Sequence, residues 1–338
     1  MGAEGSFEVF AAGELENEYE KRGGKGDLSL WKALEKGYNA VVNQLIQPPR
    51  KRYTLAELGP MEYVLPRHSQ QIQVTRRDFV VQTPTHDIHG SLWSVSTPEA
   101  SSTPCLVYLH SNMGCRLSAL EMRDRALAAG CNIVAFDFGG FGHSTGEFVT
   151  GGLREAEDIH HVLHHLHTEL DMHNFFLWGH SLGAAAALLF MEAHKNLPII
   201  AAVLDSPYTT FSDMSENIVQ TVKANGIPAP AALLHMGMNL VTKSVESRAG
   251  FQIAQVNPLA SSAACKAPAL FCSGKNDMYV KRQVAAQFMD KYGGPCTQFG
   301  FDGDHYGKRP REMIDFGLDF LVAAWQDDNN DDRSITRE

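Results

Sequence analysis

The stretch Asn174-Phe175-Phe176-Leu177-Trp178-Gly179-His180-Ser181-Leu182-Gly183-Ala184-Ala185-Ala186-Ala187 carries two different patterns on either side of one serine. Phe175 to Trp178 is an unbroken apolar run, as in a strand buried on both faces. Ala184 to Met191 is built from residues that lose little freedom on entering a helix. Between them, Gly179-His180-Ser181-Leu182-Gly183 must turn sharply, and its two glycines let backbones approach closely. G-x-S-x-G alone is a weak signal. The strand before it and the helix after it predict a turn that presents Ser181 Oγ at the carboxyl end of a sheet. A helix N-terminus behind the serine favours negative charge there.

Outward from this turn the pattern repeats. Arg77–Gln82 and His89–Ser96 read as a β-hairpin joined at Thr83–Asp87. Short apolar runs follow at Pro104–His110, Asn132–Phe138, Ile199–Leu204, Pro268–Ser273 and Cys296–Phe301, with helical periodicity at about 116–129, 152–170, 181–195, 280–291 and 310–325. Strands separated by helices predict an α/β fold, a doubly wound and mostly parallel sheet. The domain is expected over 75–326. Residues 1–74 read as a helical and irregular N-terminal extension, with helix through Leu28–Ile46, and 327–338 as an acidic disordered tail. About 207–266 lack a strand but hold Ile218–Val222, Ala229–Leu234 and Met236–Val241 at helical spacing. That insertion is either a cap over the site or a pair of ordinary packing helices.

Composition narrows the class. The chain of 338 residues is 44% hydrophobic and 20% charged, enough for one large domain with a normal core. A formal net charge of −10 argues against a nucleic-acid partner. The six cysteines include no C-x-x-C pair and read as small buried thiols in a reducing compartment. No apolar run approaches membrane-span length, so the cytoplasm is the expected location. Met1-Gly2-Ala3-Glu4-Gly5-Ser6 fits the loose myristoylation pattern at Gly2. Such a match also arises by chance, and one acyl chain would give only weak membrane association.

A serine hydroxyl is a poor nucleophile until a base takes its proton, and that base needs an orienting acid. With such a turn the chain order is Ser, Asp or Glu, then His. Asp277 follows the strand run ending at Ser273, and His305 follows the one ending at Phe301. His305 is therefore the expected base and Asp277 its orienter, with Asp205 the alternative acid. Asp302 and Asp304 read as turn residues, and His110, His143 and His180 as structural hydrogen-bonding groups. The oxyanion should be held by the Leu182 N–H and by a second N–H from Leu109-His110-Ser111-Asn112-Met113-Gly114, with Asn112 ahead of Met113. The glycine-rich run Asp137–Gly146 has neither P-loop nor dinucleotide spacing and reads as a tight loop near the mouth of the site. On Arg154–Leu170, the histidines 160, 161, 164, 165 and 167 include i,i+4 pairs. They flank the apolar stripe Ile159, Leu163, Leu166 and Leu170, so no metal site is expected.

Taken together, LHSNMG at 109–114, D-x-G-G-x-G-x-S-x-G-E at 137–147, GHSLG at 179–183, Leu204-Asp205-Ser206-Pro207, Gly274-Lys275-Asn276-Asp277 and Gly303-Asp304-His305 resemble the α/β-hydrolase superfamily. The likeness covers about 75–325. It is greatest to the serine aminopeptidase S33 and monoacylglycerol-lipase-like branch, and the region around Pro48-Pro49-Arg50 is similar to plant and protist members. The resemblance implies a serine esterase acting on a small acyl or lipid-like ester with no cofactor; thioester and peptide bonds are open to the same chemistry. A hydrolase fold kept as a binding or scaffold module is the alternative of another class. One departure stands out: the family usually has His-Gly where this chain has His110-Ser111, and a Cβ there is expected to narrow the approach to the oxyanion.

Overall fold

In a computed structural model of the chain, the described residues are 38–39, 42–67, 70–95, 103–197, 199–216 and 241–335. Among the described residues nine strands form one sheet: β1 (Glu62–Arg67), β2 (Gln70–Gln82), β3 (Asp87–Val95), β4 (Cys105–Leu109), β5 (Asn132–Phe136), β6 (Phe175–His180), β7 (Ile199–Asp205), β8 (Ala269–Gly274) and β9 (Cys296–Phe301). Their spatial order is β1-β2-β3-β5-β4-β6-β7-β8-β9. The first three strands are antiparallel, β3 joins β5 antiparallel, and every pairing from β5 to β9 is parallel. From β4 the chain winds first to β5 on one side, then to β6 on the other. The crevice at the carboxyl ends beside such a switch is where open α/β sheets hold ligands.

Period-two alternation along β6 explains the two packed layers. Phe175 and Leu177 face one side, against α2 (Leu153–Leu170) and α3 (Leu182–Ala193). Phe176 and Trp178 face the other, against α1 (Leu120–Ala128) and the C-terminal helix. Each fully buried side chain of this size stabilises the fold by about 2 kcal/mol. The short helix α4 (Pro258–Ser261) and then α5 (Gln283–Lys291) and α6 (Arg311–Ile335) follow along the chain.

The structure redraws the domain's edges. The described residues before 75 are not a separate extension: Val42, Leu45 and Ile46 are fully buried in the core, and β1 with the start of β2 belongs to the sheet. β1 escaped the sequence pattern because it is a half-exposed edge strand that contains Pro66, which an edge tolerates. The acidic tail, expected to be disordered from 327, continues α6 to Ile335. A helix nucleated by the buried Met313, Ile314, Leu318 and Leu321 propagates at little further cost per residue. Of the expected insertion, Ile218–Val222, Ala229–Leu234 and most of Met236–Val241 lie outside the described residues, as do Gly2 and most of Leu28–Ile46. No helix among the described residues is long and apolar enough to cross a membrane.

Candidate active site

β6 enters the turn and α3 leaves it. A Cβ on Gly183 would lie 2.1 Å from the Leu109 carbonyl oxygen, and one on Gly179 would lie 2.5 Å from Ala184 Cα. Both glycines are therefore demanded by contact between backbones. Ser181 sits at φ 53° and ψ −107°, outside the ordinary basins for a side-chain-bearing residue. A conformation of this kind costs about 1–3 kcal/mol. It is held by the Ser181 N–H donating to Asp205 O (2.8 Å) and by the helix that starts at Leu182.

Three side chains from three loops meet here. Ser181 Oγ donates to His305 Nε2 at 2.8 Å, and His305 Nδ1–H donates to Asp277 Oδ2 at 2.7 Å. Asp277 Oδ1 accepts the N–H groups of Tyr279 (2.8 Å) and Val280 (2.7 Å), so the carboxylate is fixed before it meets the ring. Burial alone would raise its pKa. The hydrogen bond and electrostatic attraction from the His305 ring, with those two N–H groups, more than offset this and hold the carboxyl below its usual range. All three side chains are buried.

Asp205 is placed elsewhere. Its Oδ2 accepts from Arg309 Nε at 2.6 Å and its Oδ1 from Ser206 Oγ at 3.0 Å, so it is committed to a buried ion pair. Asp304 Oδ1 accepts the Tyr306 N–H (3.1 Å) and that of Gly307, and Lys275 pairs with Asp302 at 2.8 Å.

A pocket of about 30 Å³ opens at Ser181, lined by Asn112, Leu182, Tyr208, Met214, Tyr279, Val280, His305 and Tyr306. The Leu182 N–H belongs to the first turn of α3, whose donors have no intrahelical acceptor. In the turn closed by the Gly114 N–H donating to Ser111 O (2.9 Å), Asn112 and Met113 are the central residues. Asn112 lines the pocket. Met113 does not: with Ser111 it lines a separate cavity of about 290 Å³ across the loop, and its side chain is 47% exposed. A two-residue turn sends successive side chains to different sides, which separates Met113 from Asn112. Ser111, whose Cβ was expected to crowd the oxyanion, lines that second cavity.

His110 fastens the loop. Fully buried, its Nδ1–H donates to Ser111 O (2.8 Å), and its Nε2 accepts the Phe138 N–H (3.1 Å). Desolvation depresses its pKa, which keeps the ring neutral as this pattern requires. The glycine-rich loop is thus set beneath the site and contributes nothing to the lining of the Ser181 pocket. Asp137 explains its shape: the buried carboxylate accepts Arg116 N–H (2.8 Å), His143 N–H (2.9 Å) and Tyr53 Oη–H (2.5 Å). The anchor Tyr53 lies 84 residues away, beyond the reach of pattern reading. His143 Nε2–H donates to Tyr53 O (2.8 Å). On α2, His160 stacks against His194 with ring centroids 4.2 Å apart, and no cluster among the described residues is arranged to hold a metal ion.

The family model for serine aminopeptidase S33 matches residues 121–252, which include the serine turn. The Pyrococcus furiosus esterase Pf2001 superposes with a TM-score of 0.57 over 83% of this chain and 97% of its own, at 19% identity. The chain has the α/β-hydrolase fold. It is also 31% identical, over 141 residues, to the lysophosphatidylserine lipase ABHD12 of Gallus gallus, covering 38% of this chain and 36% of the relative. The same lipase from Bos taurus is 30% identical over 122 residues, 35% of this chain and 30% of the relative. The chain thus spans about a third of the length of these curated relatives.

Proposed function

We propose that this α/β-hydrolase is a serine hydrolase that cleaves a carboxylic ester on an acyl or single-chain lipid substrate. The observation that carries the reading is the buried line Ser181–His305–Asp277, with hydrogen bonds of 2.8 and 2.7 Å, at the N-terminus of α3. In this mechanism His305 Nε2 takes the proton of Ser181 as Oγ attacks the acyl carbon. The developing oxyanion accepts the N–H groups of Leu182 and Asn112. The ring, now cationic and steadied by Asp277, returns its proton to the leaving alkoxide. Water then repeats the sequence on the acyl-enzyme, with His305 as base again. No cofactor enters these steps.

The pocket walls Leu182, Tyr208, Met214, Val280 and Tyr306 suit an apolar acyl chain. The ABHD12 relatives are, by name, lipases of lysophosphatidylserine, which supports a single-chain lipid as the substrate. A fluorophosphonate probe tests the chemistry. Wild-type protein should be labelled on Ser181, and S181A should lose both labelling and at least about 10⁴-fold in kcat on acyl esters. A folded wild-type protein that resists the probe would end the enzyme reading. A panel of acyl esters, thioesters and aminoacyl amides then sorts the bond class, with esters expected to turn over fastest.

A further inference from the structure

Arg309 lies four residues past His305 and is 8% exposed. Its side chain has five N–H groups, and each meets an acceptor. Nε–H donates to Asp205 Oδ2 (2.6 Å); Nη1 donates to Gly307 O (2.7 Å) and Asp304 O (3.2 Å); Nη2 donates to His305 O (2.8 Å) and to His180 Nε2 (2.6 Å). His180 Nε2 also lies 2.9 Å from His305 O. Burial, only partly offset by Asp205, lowers His180 to about 3, so its ring is neutral. Because a guanidinium is never without its protons, Nε2 is the acceptor of this pair and the His305 carbonyl takes its proton from Arg309. The backbone N–H of Arg309 donates to Glu121 Oε1 (2.8 Å), which ties the loop to α1.

From this arrangement we infer that Arg309 is the positioning residue for the base. The Asp205 carboxylate, at the end of β7 and beside the serine turn, fixes the guanidinium. The guanidinium in turn grips three carbonyls of the 304–307 loop and thereby sets the direction in which His305 points at Ser181. Asp205 serves both ends of the reacting pair, since its backbone oxygen also accepts the Ser181 N–H (2.8 Å). With all five donors occupied, Arg309 has none left for a substrate, although it lines the cavity of about 290 Å³. Lysine cannot substitute: it would balance Asp205 but offers three donors around one point rather than a planar fork.

The inference rests on the serine-hydrolase reading, and its test separates the two. In R309K, kcat on an acyl ester should fall roughly 10- to 100-fold with KM within about twofold, because a misaimed base slows chemistry without disturbing binding. Fluorophosphonate labelling of Ser181 should slow in parallel. The low-field proton resonance of His305 Nδ1–H should be present in wild-type protein and lost or shifted in R309K. D205L/R309M removes both charges together, a change that leaves packing near neutral when a buried pair serves only to balance itself. It should fold and still show the low kcat. The proposal is overturned if R309K keeps kcat and the resonance, or if D205L/R309M restores wild-type kcat. Should R309K fail to fold, the double variant decides. If wild-type protein never labels on Ser181, the hydrolase reading fails, while the resonance in wild type and R309K still reports whether Arg309 aims the ring.

Discussion

At Gly183 a single hydrogen atom separates a working turn from a clash. Any side chain would put carbon 2.1 Å from the Leu109 carbonyl oxygen, where neither partner is the end of a flexible group. G183A should therefore lower unfolding stability by about 3 kcal/mol or more, at the upper end of core overpacking. Thermal melts of G183A against wild type measure it, and an unchanged midpoint would contradict the geometry. Residues of this kind are legible in sequence because their demand is local: Gly179, Ser181 and Gly183 sit within five positions. Asp277 and His305 were legible because the order of loops along the chain places them. Arg309 was not legible. Its partner Asp205 is 104 residues away, and nothing local to either residue announces the pair.

Elements, in contrast, are tied by contacts that need charge as well as apolar surface. The β2–β3 hairpin meets α2 through His86, whose Nε2 lies 2.8 Å from Asp158 Oδ1, with side chains 8% and 2% exposed. Asp158 Oδ2 also accepts the Gly139 N–H (2.8 Å), so hairpin, helix and glycine-rich loop share one carboxylate. Asp158, aided by Glu155 and opposed by burial and Arg154, raises the pKa of His86 above its ordinary value. The sign follows from linkage. A group whose folded pKa is raised stabilises fully below the unfolded value of about 6.5, and this contribution fades as pH climbs through the folded value. H86Q should thus be less stable than wild type by about 3 kcal/mol at pH 5.5, with the gap shrinking toward pH 8.5. Denaturant titrations at both pH values test this, and a gap that does not change with pH would rule out the charged pair. The hairpin was readable from its alternation and turn, and Gln82 does pair with Asp87 across it. Its docking onto α2 was not, because periodicity reports which face is buried and not what buries it.

At the scale of the whole molecule, the segment before the first strand belongs to the core. Val42, Leu45 and Ile46 belong to the same buried apolar cluster as residues of α2 and α3, and the Val149 N–H donates to Ile46 O at 2.8 Å. Further on, Arg50 donates to Ser144 O (2.9 Å), Tyr53 to Asp137, and Arg76 from β2 to Leu55 O (3.1 Å). The sequence showed a helix-prone region stopped by Pro48-Pro49 but not its destination, because three apolar residues on a short helix do not name the surface they cover. Their burial is worth about 2 kcal/mol each. Losing those three together with Tyr53 and Leu58 would remove an amount comparable to the 5–15 kcal/mol that holds an ordinary domain. A chain beginning at Met61 should therefore show no cooperative melt by circular dichroism and should elute as aggregate. A truncated chain that melts cooperatively near the wild-type midpoint would instead make the segment a detachable arm. The glycine-rich loop beneath His110 would then have to hold its shape without Tyr53, and the 109–114 loop above it with only the contacts of its own half of the sheet.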